Sequence, residues 1–90
     1  MPITNSVFEM IEKYKPIEEE LQRAKKLHPC WPKNMYHQLA ILSEECGEVA
    51  KAINDSKWDE TGDLFGDVKM ELIQTAAMCM RMLENLPKEV

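Results

Sequence analysis

Glycine is scarce in this 90-residue chain. There are three, and two of them, Gly62 and Gly66, fall in one short stretch. No segment alternates apolar and polar residues for long, so no sheet is expected and the fold class is predicted to be all-α. Aromatic residues make up 7% of the chain, so a modest core must come from aliphatic and methionine side chains within the 44% that is apolar. No apolar run approaches the length of a membrane span. The opening Met1-Pro2-Ile3-Thr4 has no basic stretch followed by an apolar one, which predicts no secretory leader. Cysteine is limited to Cys30, Cys46 and Cys79, odd in number, widely spaced and without a CxxC. That excludes a disulfide framework and predicts a reducing, cytoplasmic setting, a phage-infected host cell included. Cys46 and Cys79 lie within helical patterns and are expected to pack as small hydrophobes. Positive charge is also short. The net charge of -5 opposes a nucleic-acid or anionic-membrane partner, but allows a small anionic substrate screened by a divalent cation.

What is present reads as a single domain over residues 1–90. The first helical segment opens at Ser6, with Glu9 three residues on at capping-box spacing. Its stripe of Val7, Met10, Tyr14, Ile17, Leu21 and Ala24 steps by three and four and passes through Pro16 without losing phase. One bent helix is favoured there over two short ones. Pro29 and Pro32 forbid its continuation. A second helix is predicted from about Asn34 to Asn54, with an apolar seam of Leu39, Leu42, Cys46, Val49 and Ile53. The segment from Asp55 to Gly66 reads as a loop, in which Trp58, Leu64 and Phe65 are apolar enough to pack down. A third helix is predicted from near Asp67 to about Leu86, with Leu72, Ile73, Ala76, Met80 and Leu83 as its apolar stripe. Three such helices bury their faces poorly alone, so homo-oligomerisation is expected. The methionines at Met70, Met78, Met80 and Met82 read as adaptable packing.

The chemistry lies beside the seam of the second helix. Glu44, Glu45 and Glu48 stand at i, i+1 and i+4, within an arc of roughly 100°, and Glu45 and Glu48 can share a ligand. On spacing alone this can also be a solvated acidic face, since like charges at i, i+4 destabilise a helix only slightly. On the third helix Asp67, Glu71, Gln74, Met78 and Arg81 form one stripe, opposite the apolar one. Antiparallel packing of the two helices would bring Glu71 to Glu45 and Glu48. Carboxylates converging in a bundle need a cation, and hard oxygen donors select Mg²⁺, or Mn²⁺ in its place. His28 and Cys30 are too few for a zinc site.

The run from Ile41 to Asn54, with Glu44-Glu45-Cys46-Gly47-Glu48 at its centre, resembles the Glu-Glu-x-x-Glu helix of MazG-like pyrophosphohydrolases. Glu71 to Met78, running on to Arg81, resembles their Glu-x-x-Asp helix, and His28 to Pro32 resembles the loop ahead of the first motif in short phage and bacterial members. The likeness spans about residues 28 to 86. It implies a MazG-like helical bundle completed as a homodimer or homotetramer, and Mg²⁺-dependent hydrolysis of an NTP or dNTP to the monophosphate and pyrophosphate. Carried over by position, Glu45, Glu48 and Glu71 are metal ligands, and Glu44 holds a further metal or orients water. Gln74 stands where the family has aspartate: its carbonyl can ligate Mg²⁺, but a charge is lost. Asp67, one turn before Glu71, is the acid placed to compensate, or else a helix-start residue favoured by the dipole. Glu44 or Glu48 would orient or deprotonate the attacking water. Lys51 and Arg81 would neutralise phosphate charge, and Trp31, His37 and Gln38 would contact base or sugar. Trp31 can equally plug the core under its loop, and His37 can be structural. Two rival functions are a related pyrophosphohydrolase acting on a nucleotide such as phosphoribosyl-ATP, and a helical interaction module without catalysis.

Overall fold

The computed structural model describes residues 4–57 and 64–87. Among them the chain forms three α-helices and no strand: α1 (Asn5–Leu27), α2 (Met35–Ser56) and α3 (Leu64–Glu84). The fold class is therefore all-α. No helix is long and apolar enough to cross a membrane.

Local chemistry sets the ends. The cap of α1 is Thr4, whose Oγ1 accepts from the Val7 amide at 3.2 Å. Ser6, expected to open the helix, is instead inside its first turn, because Thr4 already satisfies the free amide. The helix is continuous through Pro16 and closes where the His28 amide donates to Ala24 O at 2.8 Å, just before Pro29. α2 begins beside its predicted start, Asn34, which serves as the cap: its Oδ1 accepts from the Tyr36 amide at 2.8 Å. It runs two residues past Asn54, and Ser56 Oγ donates back to Ile53 O. α3 starts at Leu64, three residues earlier than predicted, so Gly66 lies in a helix and not in the loop. Trp58 lies outside the described residues.

α3 is the shared element. It packs against α2 and against α1, while α1 and α2 do not pack against each other. α2 and α3 run antiparallel, since Ile41 of α2 lies near Met78 and Arg81 of α3 while Asp55 lies near Asp67. Thr75 Oγ1 donates to Glu71 O at 2.8 Å and sits 3.4 Å from Glu45 O, which ties the two helices at mid-length. The end of α1 meets the end of α3, where Lys25 Nζ lies 2.5 Å from Glu84 Oε2.

The core is thin. Leu21, Ala24, Ala52 and Ala77 are the apolar residues fully buried among those described, joined by Gln38 and Arg81. The helices meet on faces rotated from the predicted ones. On α2, Gln38, Ile41, Glu45, Glu48 and Ala52 turn inward, while Leu39, Cys46 and Ile53 of the predicted seam are exposed. On α3, Ala77 and Arg81 are buried whereas Leu72 and Leu83 are exposed. On α1, Leu21 and Ala24 are buried as predicted but Val7, Met10 and Tyr14 are not. Cys46 and Cys79 are both exposed, contrary to the packing role expected of them, because they lie on the outer sides of these rotated faces.

Candidate metal centre

The rotation of α2 puts its carboxylates against α3. Glu45, Glu48 and Glu71 are half-buried, and one carboxylate oxygen from each lies within 4.8 Å of the other two. Glu45 Oε2 and Glu71 Oε2 are buried with no hydrogen-bond partner. Both residues have their acidity weakened. Burial is the main cause for Glu45, followed by the charges of Glu48, Glu71, Glu44 and Glu20. Burial again leads for Glu71, followed by a hydrogen bond with Glu48 and the charges of Glu48 and Asp67. A buried anionic oxygen without a donor is costly. Two such oxygens, converging with the Glu48 carboxylate, have one common remedy, a hard cation between the three. The donor set fits such an ion: it is all oxygen, from two helices, at the point where Thr75 holds them together.

The cluster lies midway along a trough that α2 borders on both sides of it and α1 borders at the first cavity only. Its floor is the α3 stripe of Asp67, Glu71, Gln74, Met78 and Arg81, about 21 Å long at the helical rise. On one side of the cluster is a cavity of about 430 Å³, to which Trp31, Ile41, Glu45, Gln74, Met78 and Arg81 contribute. On the other is a cavity of about 410 Å³ lined by Glu48, Lys51, Ala52, Asp55, Asp67 and Glu71.

In the first cavity Arg81 is only 4% exposed. Its guanidinium lies 4.8 Å from the Trp31 ring centroid, and Nη2 donates to His28 O at 2.5 Å. The planar cation covers the indole and clamps the loop before α2. Gln38 clamps the same loop from its other end: fully buried, it donates from Nε2 to Pro32 O at 2.9 Å. Gln38 lines neither cavity, so its place is beneath the loop. Trp31 is a half-buried wall of the cavity, with Nε1 buried and unpartnered.

The other predicted residues are placed as follows. Gln74 is half-buried in the first cavity, beside Glu45 and Arg81. Asp67 is exposed in the second cavity, near enough for its charge to act on Glu71, but it is not among the three converging carboxylates. Lys51 is exposed there and paired with Asp55 at 3.2 Å. Glu44 is exposed and lines neither cavity, although its charge reaches Glu45. His37 is exposed and lines neither.

Two residues that the sequence reading passed over also line the first cavity, Glu20 and Arg23 of α1. Arg23 grips Glu20 through both Nε and Nη2, and this pairing holds the Glu20 carboxyl below its usual range. The available signal was Glu20's place one turn before Ala24, on the buried side of α1. Comparison of the chain with protein families, with curated proteins and with solved structures finds no match to any of them.

Proposed function

We propose that this chain is a divalent-cation-dependent nucleoside triphosphate pyrophosphohydrolase of the MazG-like kind, a single all-α domain working as a homodimer or homotetramer. One observation carries the reading: two buried, donorless carboxylate oxygens, on Glu45 and Glu71, converge with Glu48 beside a cavity walled by an indole and a buried guanidinium. The ordered motif pair on α2 and α3 supports it.

In this reading Glu45, Glu48 and Glu71 hold Mg²⁺, for which Mn²⁺ can substitute. A bound hard cation makes the phosphorus more electrophilic and water more acidic. The chain's residues do the rest. The nucleoside lies in the first cavity, where Met78 and Ile41 supply apolar surface and Trp31 and Arg81 supply a flat wall. The α-phosphate then meets the carboxylate cluster, and the pyrophosphate leaves over the second cavity, past Lys51. Water oxygen bonds to the α-phosphorus, the bond from that phosphorus to the bridging oxygen breaks, and the bridging oxygen departs with pyrophosphate. Of the two acids proposed to orient or deprotonate that water, Glu48 is favoured by position, since it faces Glu71 and lines the second cavity. Glu44 acts on the site through its charge alone. Gln38 supports recognition indirectly by fixing the loop that carries Trp31, and Gln74 offers a neutral oxygen next to Glu45.

The test is to incubate the protein with each common NTP and dNTP plus Mg²⁺ and measure pyrophosphate and monophosphate. Phosphoribosyl-ATP in the same panel separates the related activity. If no nucleotide is turned over and Glu48→Gln leaves the thermal stabilisation by Mg²⁺ unchanged, the reading is abandoned for a non-catalytic helical module.

A further inference from the structure

Among the described residues, none buries the first half of α1. From Asn5 to Pro16 every residue is exposed, and burial begins at Ile17. Yet this arm is amphipathic: Val7, Ile11 and Tyr14 line one side of it, and they are 40%, 48% and 52% exposed. A second apolar row, only partly covered by α1, lies on α3, on the side away from the trough. Val68, Leu72, Ala76 and Met80 follow one another at i+4 and form a single ridge, with Ala76 as its low point. Leu72 is 52% exposed, and shallow grooves run from this ridge past Ile17 to Tyr14 and Ile11.

The molecule as a whole has too much surface. Its accessible area is 7397 Å², whereas a compact monomer of its 10.5 kDa mass exposes about 5,400 Å². Its radius of gyration is 15.9 Å, against about 12 Å for a compact domain of this length. The excess of about 2,000 Å² is what each copy loses in an obligate dimer.

We infer that a second copy of the chain covers this face, the arm of each protomer lying along the Val68–Met80 ridge of the other about a two-fold axis. The dimensions agree. The arm from Val7 to Ile17 spans about 15 Å and the ridge about 18 Å. The arm also carries balanced charge, Glu9 and Glu12 against Lys13 and Lys15, so two chains of net charge -5 can meet there with little repulsion. An isologous contact of this kind yields an α1–α3 bundle of four helices and leaves both troughs on the outside. This goes beyond the assembly proposed above by assigning its surface, and it does not depend on the metal reading, because its readout is mass.

The experiment is sedimentation equilibrium of the full chain at micromolar concentrations, with Ile11→Glu, Leu72→Glu and Leu39→Glu beside it. The expected result is twice the 10.5 kDa chain mass, with association weakened more than about a hundredfold by either of the first two changes, which bury an unpaired charge. A variant that unfolds is replaced by a fold-neutral readout. With Cys30, Cys46 and Cys79 changed to Ser, each of Phe8→Cys, Ile11→Cys and Tyr14→Cys is mixed with Leu72→Cys and oxidised, and at least one mixture must form in high yield a covalent dimer that neither variant forms alone. A monomeric parent chain overturns the inference. So does an assembly that Leu39→Glu breaks and Ile11→Glu spares, since that puts the contact on the outer face of α2.

Discussion

The two ends of the trough are built on opposite principles, although one helix floors both. At the Arg81 end the polar groups are buried and tied down. Gln38 and Arg81 are among the least exposed residues in the protein, and each bonds a loop carbonyl. At the Asp67 end Asp55 and Asp67 are exposed, and Lys51 is held by Asp55, one turn along the same helix. The first end is preorganised, with Trp31, Ile41 and Met78 in its lining, which suits recognition of a flat, partly apolar group. The second is wet and acidic, which suits exchange of a cation and release of a charged product. The Glu45–Glu48–Glu71 cluster stands at the boundary, where burial is deep enough to strip two oxygens of donors and still within reach of solvent.

Breaking the boundary should have the largest effect. Glu71→Gln removes a charge and an oxygen donor while keeping the shape. Pyrophosphate release should fall by more than about a thousandfold, as expected when a site's metal-dependent chemistry is lost. The melting-temperature gain on adding Mg²⁺ should vanish with it. Normal turnover in Glu71→Gln would remove the cluster from the chemistry altogether.

The recognition end comes next. Arg81→Ala takes away the cover on Trp31 and the donor to His28 O, and kcat/KM should drop on the order of a hundredfold, equivalent to about 2.7 kcal/mol. Arg81→Lys keeps the charge but not the planar fork. It should therefore recover little, and the loss should appear mainly in KM. Recovery of full activity by Lys would mean that charge alone matters there and that the indole–guanidinium stack is only packing.

Asp67→Asn probes the wet end. The compensation idea assigns to Asp67 the charge missing at Gln74. Because Asp67 is exposed and lies outside the three converging carboxylates, its effect should be an intermediate one, about tenfold in the Mg²⁺ concentration needed for half-activity, the size of loss seen when an outer partner of a metal site is removed. A silent Asp67→Asn would leave Gln74 uncompensated from this side and turn attention to Glu20, the acid across the first cavity.

The helices and the i, i+4 acids of α2 were legible in the sequence because both rest on local spacing, whereas the approach of Glu71 followed only from antiparallel packing of α2 and α3. Asn34, the prolines flanking Cys30-Trp31, and the i+4 steps of the α3 stripe need no tertiary information. The packing faces were not legible for the same reason. Periodicity finds an apolar stripe but cannot say what covers it, so Leu39 and Ile53 looked like a seam until the carboxylates were seen to occupy the contact with α3. Glu20 and Arg23 were missed because their importance depends on where α1 lies across α3. Gln38 was recognised as a polar residue of interest, but its burial under the loop is a tertiary fact, as is the bond to Pro32 O.

The smallest effect separates paired from unpaired carboxylates. Glu45 and Glu71 hold their protons more tightly folded than unfolded. Between the ordinary carboxylate range and their raised values, the folded state binds more protons, so raising the pH through that window favours unfolding. Glu20 does the reverse, since Arg23 lowers its value. Its contribution is present above the ordinary range and lost on acidification, and it is modest because Arg23 is half in solvent. Without metal, the melting temperature should therefore fall as the pH is raised from the ordinary carboxylate range towards neutrality. Mg²⁺ takes the place of the protons, so its stabilising effect should grow with pH. Melting curves with Mg²⁺ and with a chelator across that range provide the check, and Glu71→Gln should flatten the metal-free slope while Glu20→Gln leaves it in place. A metal-free protein that becomes more stable towards neutrality would mean that the cluster is already neutralised within the chain, with no need of a cation.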